Sequence, residues 1–285
     1  MPVQQKEFSF FSPAKVNLFF RVLKRRENGY HEITSLIQML DFGDTLFFSL
    51  DTPEDHFTSS SSHLTWDDKN LIFKATNIFR KVTGIYTPVR IHLEKRIPMQ
   101  SGLGGGSSNA ATTLYALNHL LHTQFSDSDL AALGANLGAD VPCFFGLGRV
   151  HVQGIGEIVS SIAPSSETYT LIQPPHTFLA TPLVYQHVNL NQCSQIPPED
   201  LLAAFANNNP IYINDLEHAA FSISADLADF KNHLNQTGYK GCMTGSGSCF
   251  VIEGHKSIET QGFSVKASAL DRIPSAWYQS SLFPT

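Results

Sequence analysis

Pro98-Met99-Gln100-Ser101-Gly102-Leu103-Gly104-Gly105-Gly106-Ser107-Ser108-Asn109 is the stretch whose reading decides the fold of this chain. Before it, Val89, Ile91 and Leu93 alternate as a strand that runs into Pro98. After it, Ala110, Leu114, Leu117 and Leu121 form an apolar stripe at helical spacing. Glycines between a strand and a helix let the backbone approach an anion with no Cβ in the way. The helix then turns its unpaired N–H groups and positive dipole end toward the same spot. Ser107 and Ser108 are placed to cap that helix and to donate hydroxyl bonds to phosphate oxygens. A flexible linker is the usual alternative for an isolated glycine cluster, and the flanking elements argue against it. Two familiar phosphate loops fit poorly. A Walker A loop ends in Gly-Lys-Ser/Thr, and no lysine stands here. A Rossmann fingerprint follows the first strand and meets an acidic residue at a strand end about 20 positions on. Asp127 falls near that distance, but at an expected helix start.

Upstream, Val16, Leu18, Phe20 and Val22 alternate with their neighbours, which predicts a strand over Val16 to Leu23. Lys15 and Asn17 then project from the face opposite Val16 and Leu18. A turn at Glu27-Asn28-Gly29 leads to Tyr30 and His31, and a strand-like or short helical stretch runs to Leu40. Asp41-Phe42-Gly43-Asp44 separates it from another strand, Thr45 to Leu50. The serine-rich segment 51 to 69 reads as an exposed loop with room for a short edge strand, and Asn70 to Val82 as a helix. Ser126 to Leu137 is a further helix, capped by Ser126 or Asp127. Beyond a soft boundary near 155 to 165 the pattern gives strands at Thr168 to Ile172, Gly241 to Thr244, Cys249 to Glu253 and near Val265 to Leu270. Helices are expected at Glu199 to Phe205, Leu216 to Phe221 and Ala225 to Leu234.

The 285 residues can bury a substantial core, in one large domain or two modest ones. A net charge of −6 argues against a nucleic-acid partner, because phosphate backbones need a basic footprint that Lys24-Arg25-Arg26 alone does not supply. No run of about 18 apolar residues can span a membrane, and no charged-then-apolar leader opens the chain, so the cytoplasm is the expected compartment. Cys143, Cys193, Cys242 and Cys249 form no C-x-x-C pair, which makes buried free thiols the simplest expectation.

Three further clusters carry possible chemistry. Leu137-Gly138-Ala139-Asp140-Val141-Pro142 holds a lone Asp that is either a turn residue or a carboxylate positioned to accept a hydroxyl proton in phosphoryl transfer. An ordinary Asp is a weak base, so that role needs a nearby cation, for which Lys15 is the candidate. Thr244-Gly245-Ser246-Gly247-Ser248 reads equally as a hairpin turn and as backbone N–H groups facing an anionic substrate. Tyr30 and His31 suit either core packing or stacking on a planar ring. His119 and His122 at a helix end read as surface residues that compensate its dipole rather than metal ligands.

Taken together, these stretches resemble the GHMP family of small-molecule kinases. The resemblance is carried by Ser12-Pro13-Ala14-Lys15-Val16-Asn17-Leu18, Arg25-Arg26, Gly29-Tyr30-His31-Glu32, Gly102 to Ala111, Leu137 to Pro142 and Met243 to Gly247. It spans nearly the whole chain in the family's order and is loosest over 51 to 69, 187 to 210 and beyond 255. It implies an α/β (α+β), two-domain GHMP-kinase-like fold, with the active site in the cleft between a nucleotide-binding domain, 1–160, and a C-terminal domain, 161–285. It implies ATP as phosphoryl donor, an accompanying Mg2+ with Ser108 as a ligand, and a cytidine diphosphate-linked methylerythritol as the small-molecule substrate. That substrate belongs to non-mevalonate isoprenoid precursor biosynthesis. Pro98 through Ser108 then correspond to the triphosphate loop, and Asn70, Leu71 and Lys74 to the lining of the adenine pocket. Asp140 corresponds to the base toward the 2-hydroxyl and Lys15 to the group that orients and neutralises. Asn17 corresponds to a substrate contact near that hydroxyl, Tyr30 and His31 to the cytosine site, Tyr185 to an aromatic on the ring's other face, and Thr181 to a further substrate contact. One departure is that Gln100 and Ser101 stand where the family carries small residues. Competing readings are a non-catalytic nucleotide-binding regulatory protein on the same fold, a GHMP kinase for another small alcohol, and a dinucleotide-dependent oxidoreductase.

Overall fold

The computed structural model describes residues 7–279. Two long antiparallel strands, β1 (Phe8–Arg25) and β2 (His31–Ser49), form its spine. The far edge of β2 carries two partners in succession: β4 (Arg90–Glu94) along Thr45–Ser49 and β5 (Arg149–Gly154) along Ile33–Gln38. The short edge strand β3 (His56–Ser59) lies parallel to β4, and β6 (Ile158–Ser161) pairs with β5. The seventh strand of this sheet, β8 (Ile213–Asn214), comes from the C-terminal half and lies parallel to β1 at Phe19 and Phe20.

Between Ser161 and Thr168 the chain leaves this sheet for a second one, ordered β11-β7-β10-β9. Its strands are β7 (Thr168–Gln173), β9 (Gly241–Met243), β10 (Phe250–Glu253) and β11 (Phe263–Ser268). One face of the first sheet is covered by α1 (Leu71–Thr83), α2 (Gly105–Leu120) and α3 (Asp127–Ala135), with Phe48, Phe79, Leu93 and Leu114 in the core between them. A second core, built on Val16, Leu18, Leu36, Leu171 and Val251, joins the two sheets. The helices α4 (Thr181–Gln186), α5 (Pro198–Ala206), α6 (Glu217–Ile223) and α7 (Ala225–Gln236) complete the C-terminal half.

Local signals explain most boundaries. Asn70 caps α1 by accepting from the Ile72 N–H at 2.9 Å, and Gly84 ends it at φ 71°. Ser126 and Asp129 form a reciprocal capping box on α3. The expected break at Asp41 to Asp44 is absent. Gly43 and Asp44 continue the ladder opposite Pro13 and Ser12, because the Asp44 carboxylate is fully satisfied inside the protein instead of seeking water in a turn. The predicted strand at Val16 begins eight residues earlier, at Phe8, with Pro13 accommodated at a register shift between Pro13 and Lys15. β5, β6, α4 and β8 were not expected; all are short, at two to six residues, which leaves too few positions for a period to show.

The four cysteines are free and buried, as expected. Among the described residues no helix is long and apolar enough to cross a membrane. The tail returns to the first half of the chain. Trp277 donates its indole N–H to the Phe11 carbonyl at 2.8 Å and stacks on Tyr115 at 4.7 Å, while Tyr278 bonds the Gly146 carbonyl at 3.1 Å. Arg272 adds an ion pair to Asp127 at 2.5 Å. Trp277→Ala removes this plug and should cost about 3–5 kcal/mol of unfolding free energy, read by urea denaturation. A loss below about 1 kcal/mol would show that the tail merely rests on the surface.

Candidate functional site

The edge of β1 that faces away from β2 is open between Pro13 and Leu18, and two turns use it. The Lys15 N–H donates to the Leu103 carbonyl of the glycine loop at 3.0 Å, and the Asn17 N–H to the Thr244 hydroxyl at 2.9 Å. β1 shows register shifts between Pro13 and Lys15 and between Asn17 and Phe19, and such bulges re-aim side chains. Lys15 and Asn17 share a face as their spacing predicted, and the ammonium donates to the Asn17 side-chain oxygen at 2.7 Å. Asn17 is itself fixed, its amide donating to Ser35 Oγ at 2.8 Å and its oxygen accepting from Thr244 at 3.2 Å.

Asp140 reaches the same place from the other side of the cleft. The tight bend after α3 closes with a Val141 N–H to Gly138 carbonyl bond of 3.1 Å, and Pro142–Phe145 follow as a short 3-10 turn. That bend carries the carboxylate to 3.4 Å from the Lys15 ammonium. The lysine side chain is 3% exposed and the carboxylate 45%, so the pair presents its anionic partner to a bound ligand.

The glycine loop arches over this pair. Gly104 has φ 71° and caps α2 through its backbone; a Cβ there would stand 2.7 Å from Lys15 Cγ. A Cβ on Gly102 would collide with the Thr244 carbonyl, so the loop and the turn Thr244–Ser248 meet backbone to backbone. That turn joins β9 to β10, as one of its two readings had it, and Gly245, Ser246 and Gly247 also line the cleft. Gln100 adopts φ 54°, the left-handed region that a side chain enters only with strain.

The cleft has a volume of about 1310 Å³ and is lined from both halves of the chain. Its wall includes Asn70, Leu71 and the loop residues Pro98 to Ser101, together with Tyr30, His31, Thr181 and Tyr185. His31 and Tyr185 stack on one another at 5.4 Å and 29°, and Tyr30 stands 61% exposed at the rim. Burial, and next the charge of Arg25, hold the His31 imidazole below its ordinary pKa of 6.5. Burial, and next the Asp140 carboxylate, push the Tyr185 phenol well up, so it remains a protonated donor at neutral pH.

Several expected residues lie elsewhere. Ser107 and Ser108 do not cap α2, which starts at Gly105. The Ser108 hydroxyl is enclosed and bonded to Ser12 Oγ at 2.8 Å, turned away from the cleft; Ser107 is the cleft-facing hydroxyl. Leu103 contributes its carbonyl, its side chain being in the core between the sheets. Lys74 is exposed on α1, outside the cleft wall. Lys95, which the sequence reading passed over, does line the cleft. Its position three residues before Pro98 was the signal. Burial pulls its ammonium below the ordinary lysine range, against the pull of Asp44 at 2.8 Å.

A sheet with helices on one face and a second sheet on the other, a backbone-capped glycine loop and a lysine–aspartate pair define a class. The model of the GHMP kinases N terminal domain matches residues 70–148. The chain belongs to the GHMP kinases, and within them to the 4-diphosphocytidyl-2-C-methyl-D-erythritol kinases. The kinase of that name from Protochlamydia amoebophila is 42% identical over 95% of this chain and 92% of its own length. Its counterpart from Chlamydia abortus is 38% identical over 90% and 87%. A crystal structure of 4-(cytidine 5'-diphospho)-2C-methyl-D-erythritol kinase superposes with a TM-score of 0.76 at 32% identity, covering 92% of this chain and 98% of that one. A mevalonate kinase structure, at 14% identity and a TM-score of 0.64, shares the fold.

The His31 environment gives a direct test. In Arg25→Gln the imidazole pKa, read by NMR titration, should rise toward 6.5 without reaching it, because burial is the larger cause. Because the folded protein holds His31 below its unfolded pKa, protonation works against the fold. The stability His31 contributes is complete above 6.5 and is lost as pH falls through the lower folded value. An unshifted His31 in the variant would show that Arg25 does not act on it.

Proposed function

We propose that this chain transfers the γ-phosphoryl group of ATP to the 2-hydroxyl of 4-diphosphocytidyl-2-C-methyl-D-erythritol. The observation that carries the reading is the Lys15–Asp140 pair, 3.4 Å apart under the glycine loop, in a cleft whose wall includes an aromatic pair. The triphosphate lies along Pro98 to Ser107, met by loop N–H groups and the N-terminus of α2. The cytosine ring goes to Tyr30, His31 and Tyr185, and Thr181 faces the rest of the substrate.

Asp140 accepts the hydrogen bond, and then the proton, of the attacking 2-hydroxyl. As the oxygen forms its bond to the γ-phosphorus, the bond to the bridging oxygen breaks and ADP leaves. Lys15 holds the carboxylate in place and counters charge on the transferring group, with Asn17 steering the ammonium at 2.7 Å. Magnesium, when bound with the nucleotide, neutralises the β- and γ-phosphates. Such a site usually takes only one or two protein oxygens, and the Asp140 carboxylate and Ser107 hydroxyl are the cleft-facing donors that fit it.

A substrate panel with ADP detection tests the reading. Magnesium-dependent ADP release is expected with the cytidine-linked substrate and not with galactose, homoserine or mevalonate; release only with one of the latter would reassign the substrate. Asp140→Asn and Lys15→Ala should each lower kcat by about 10²–10⁴-fold with the circular dichroism spectrum unchanged. An unchanged kcat in either variant would remove the roles assigned here, and ATP binding without turnover in the wild type would make the chain a non-catalytic binder.

A further inference from the structure

Both ends of the glycine loop run back to one carboxylate. Asp44 lies in the interior of β2 and is fully buried. Its Oδ1 accepts from the backbone N–H groups of Arg96 and Ile97, at 2.7 and 2.8 Å, on the segment that enters the loop. Its Oδ2 accepts from the Asn109 amide at 2.9 Å, immediately after the loop on α2, and from the Lys95 ammonium at 2.8 Å. Asn109 extends the network to Ser12 Oγ at 2.9 Å, and Ser12 meets Ser108 at 2.8 Å, tying β1 to the first turn of α2. The Lys95 ammonium also donates to the Ile97 carbonyl at 2.5 Å and would stand 3.1 Å from a Cβ on Gly105, which places it beside the first turn of α2.

We infer that Asp44 is a positioning residue for nucleotide binding, fixing the entry and exit of the Pro98–Ser108 loop and holding the Lys95 ammonium at the mouth of the cleft. A loop that binds through backbone N–H groups has no side chain of its own to correct its shape, so its anchor points set where those donors aim. Four donors converge on the two oxygens of Asp44 and fix the carboxylate in one orientation. The inference rests on reading the loop as the triphosphate site.

Asp44→Asn separates the two halves of the role. The amide oxygen can still accept from Arg96 and Ile97, but the amide nitrogen meets two donors, Lys95 and Asn109, and releases both. In the full-length variant KM for ATP should rise roughly tenfold or more, while KM for the cytidine-linked substrate stays within about twofold. The exchange Asp44→Asn with Asn109→Asp returns an acceptor to face the amide and should recover part of the loss in ATP affinity. If Asp44→Asn does not fold, Asn109→Ala frees the exit of the loop alone and should raise KM for ATP in the same direction by a smaller factor. An unchanged KM for ATP, or an equal rise for both substrates, in whichever variant folds would overturn the role of Asp44. Wild-type protein that shows no saturation with ATP would instead overturn the reading of the loop, and the inference with it.

Discussion

A lysine that is 3% exposed needs partners that repay its lost hydration, and much of the cleft is arranged around that demand at Lys15. Asn17 supplies an oxygen, Asp140 a counter-charge, and Gly104 the space above the aliphatic stem. Each of these has its own requirement. Asn17 is held by Ser35 and Thr244, which brings the Thr244–Ser248 turn onto the open edge of β1. Gly104 must adopt a left-handed conformation, so the loop turns there and α2 begins without a side-chain cap, its first residues lining the cleft. One buried cation thus links the first strand, the loop, the second glycine turn and the bend that carries Asp140.

The C-terminal half is more than a lid on this arrangement. Asn214, on the two-residue strand β8, donates to the carbonyls of Met243 and Gly245 at 2.6 and 2.7 Å and so fixes the second turn from behind. Next to it, Asp215 pairs with the buried Arg21 at 2.8 Å and accepts from the Val22 and Ser194 N–H groups. Thr181, at the start of α4, meets Ser246 at 2.8 Å, so the helix bearing Tyr185 is attached to the same turn that touches the loop. Short polar contacts thus attach the Thr244–Ser248 turn to β8 on one side and to α4 on the other, beside the apolar core that joins the two sheets.

Much of this was legible in the sequence because it is local. Alternation gave Lys15 and Asn17 a common face, Ser126 stood as one of two cap candidates for α3, and glycines between a strand and a helix gave the loop. What escaped depends on distant partners. Asp41-Phe42-Gly43-Asp44 has turn composition, and only Lys95 and Asn109, 51 and 65 residues away, make it the interior of a strand. Ser108 was placed toward phosphate because a serine at a helix start usually caps; Ser12 claims its hydroxyl instead. Lys95 belonged to a charged triplet of residues with no period, and its aim is set by a carboxylate that no local pattern reveals.

The return of the tail has a consequence for biosynthesis. The indole of Trp277 fills a site between Phe11 and Tyr115, and Arg272 and Tyr278 close the carbonyls of Phe145 and Gly146 beside the bend that carries Asp140. A ribosome delivers the chain from its N-terminus, so the half that holds the loop and the Lys15–Asp140 pair emerges with this site unfilled. It gains β8 only when residue 214 arrives, and the indole only some sixty residues later still. Vectorial synthesis therefore leaves the nascent N-terminal half without two of its packing partners until residues 214 and 277 have left the exit tunnel, so its final packing waits on the C-terminal half.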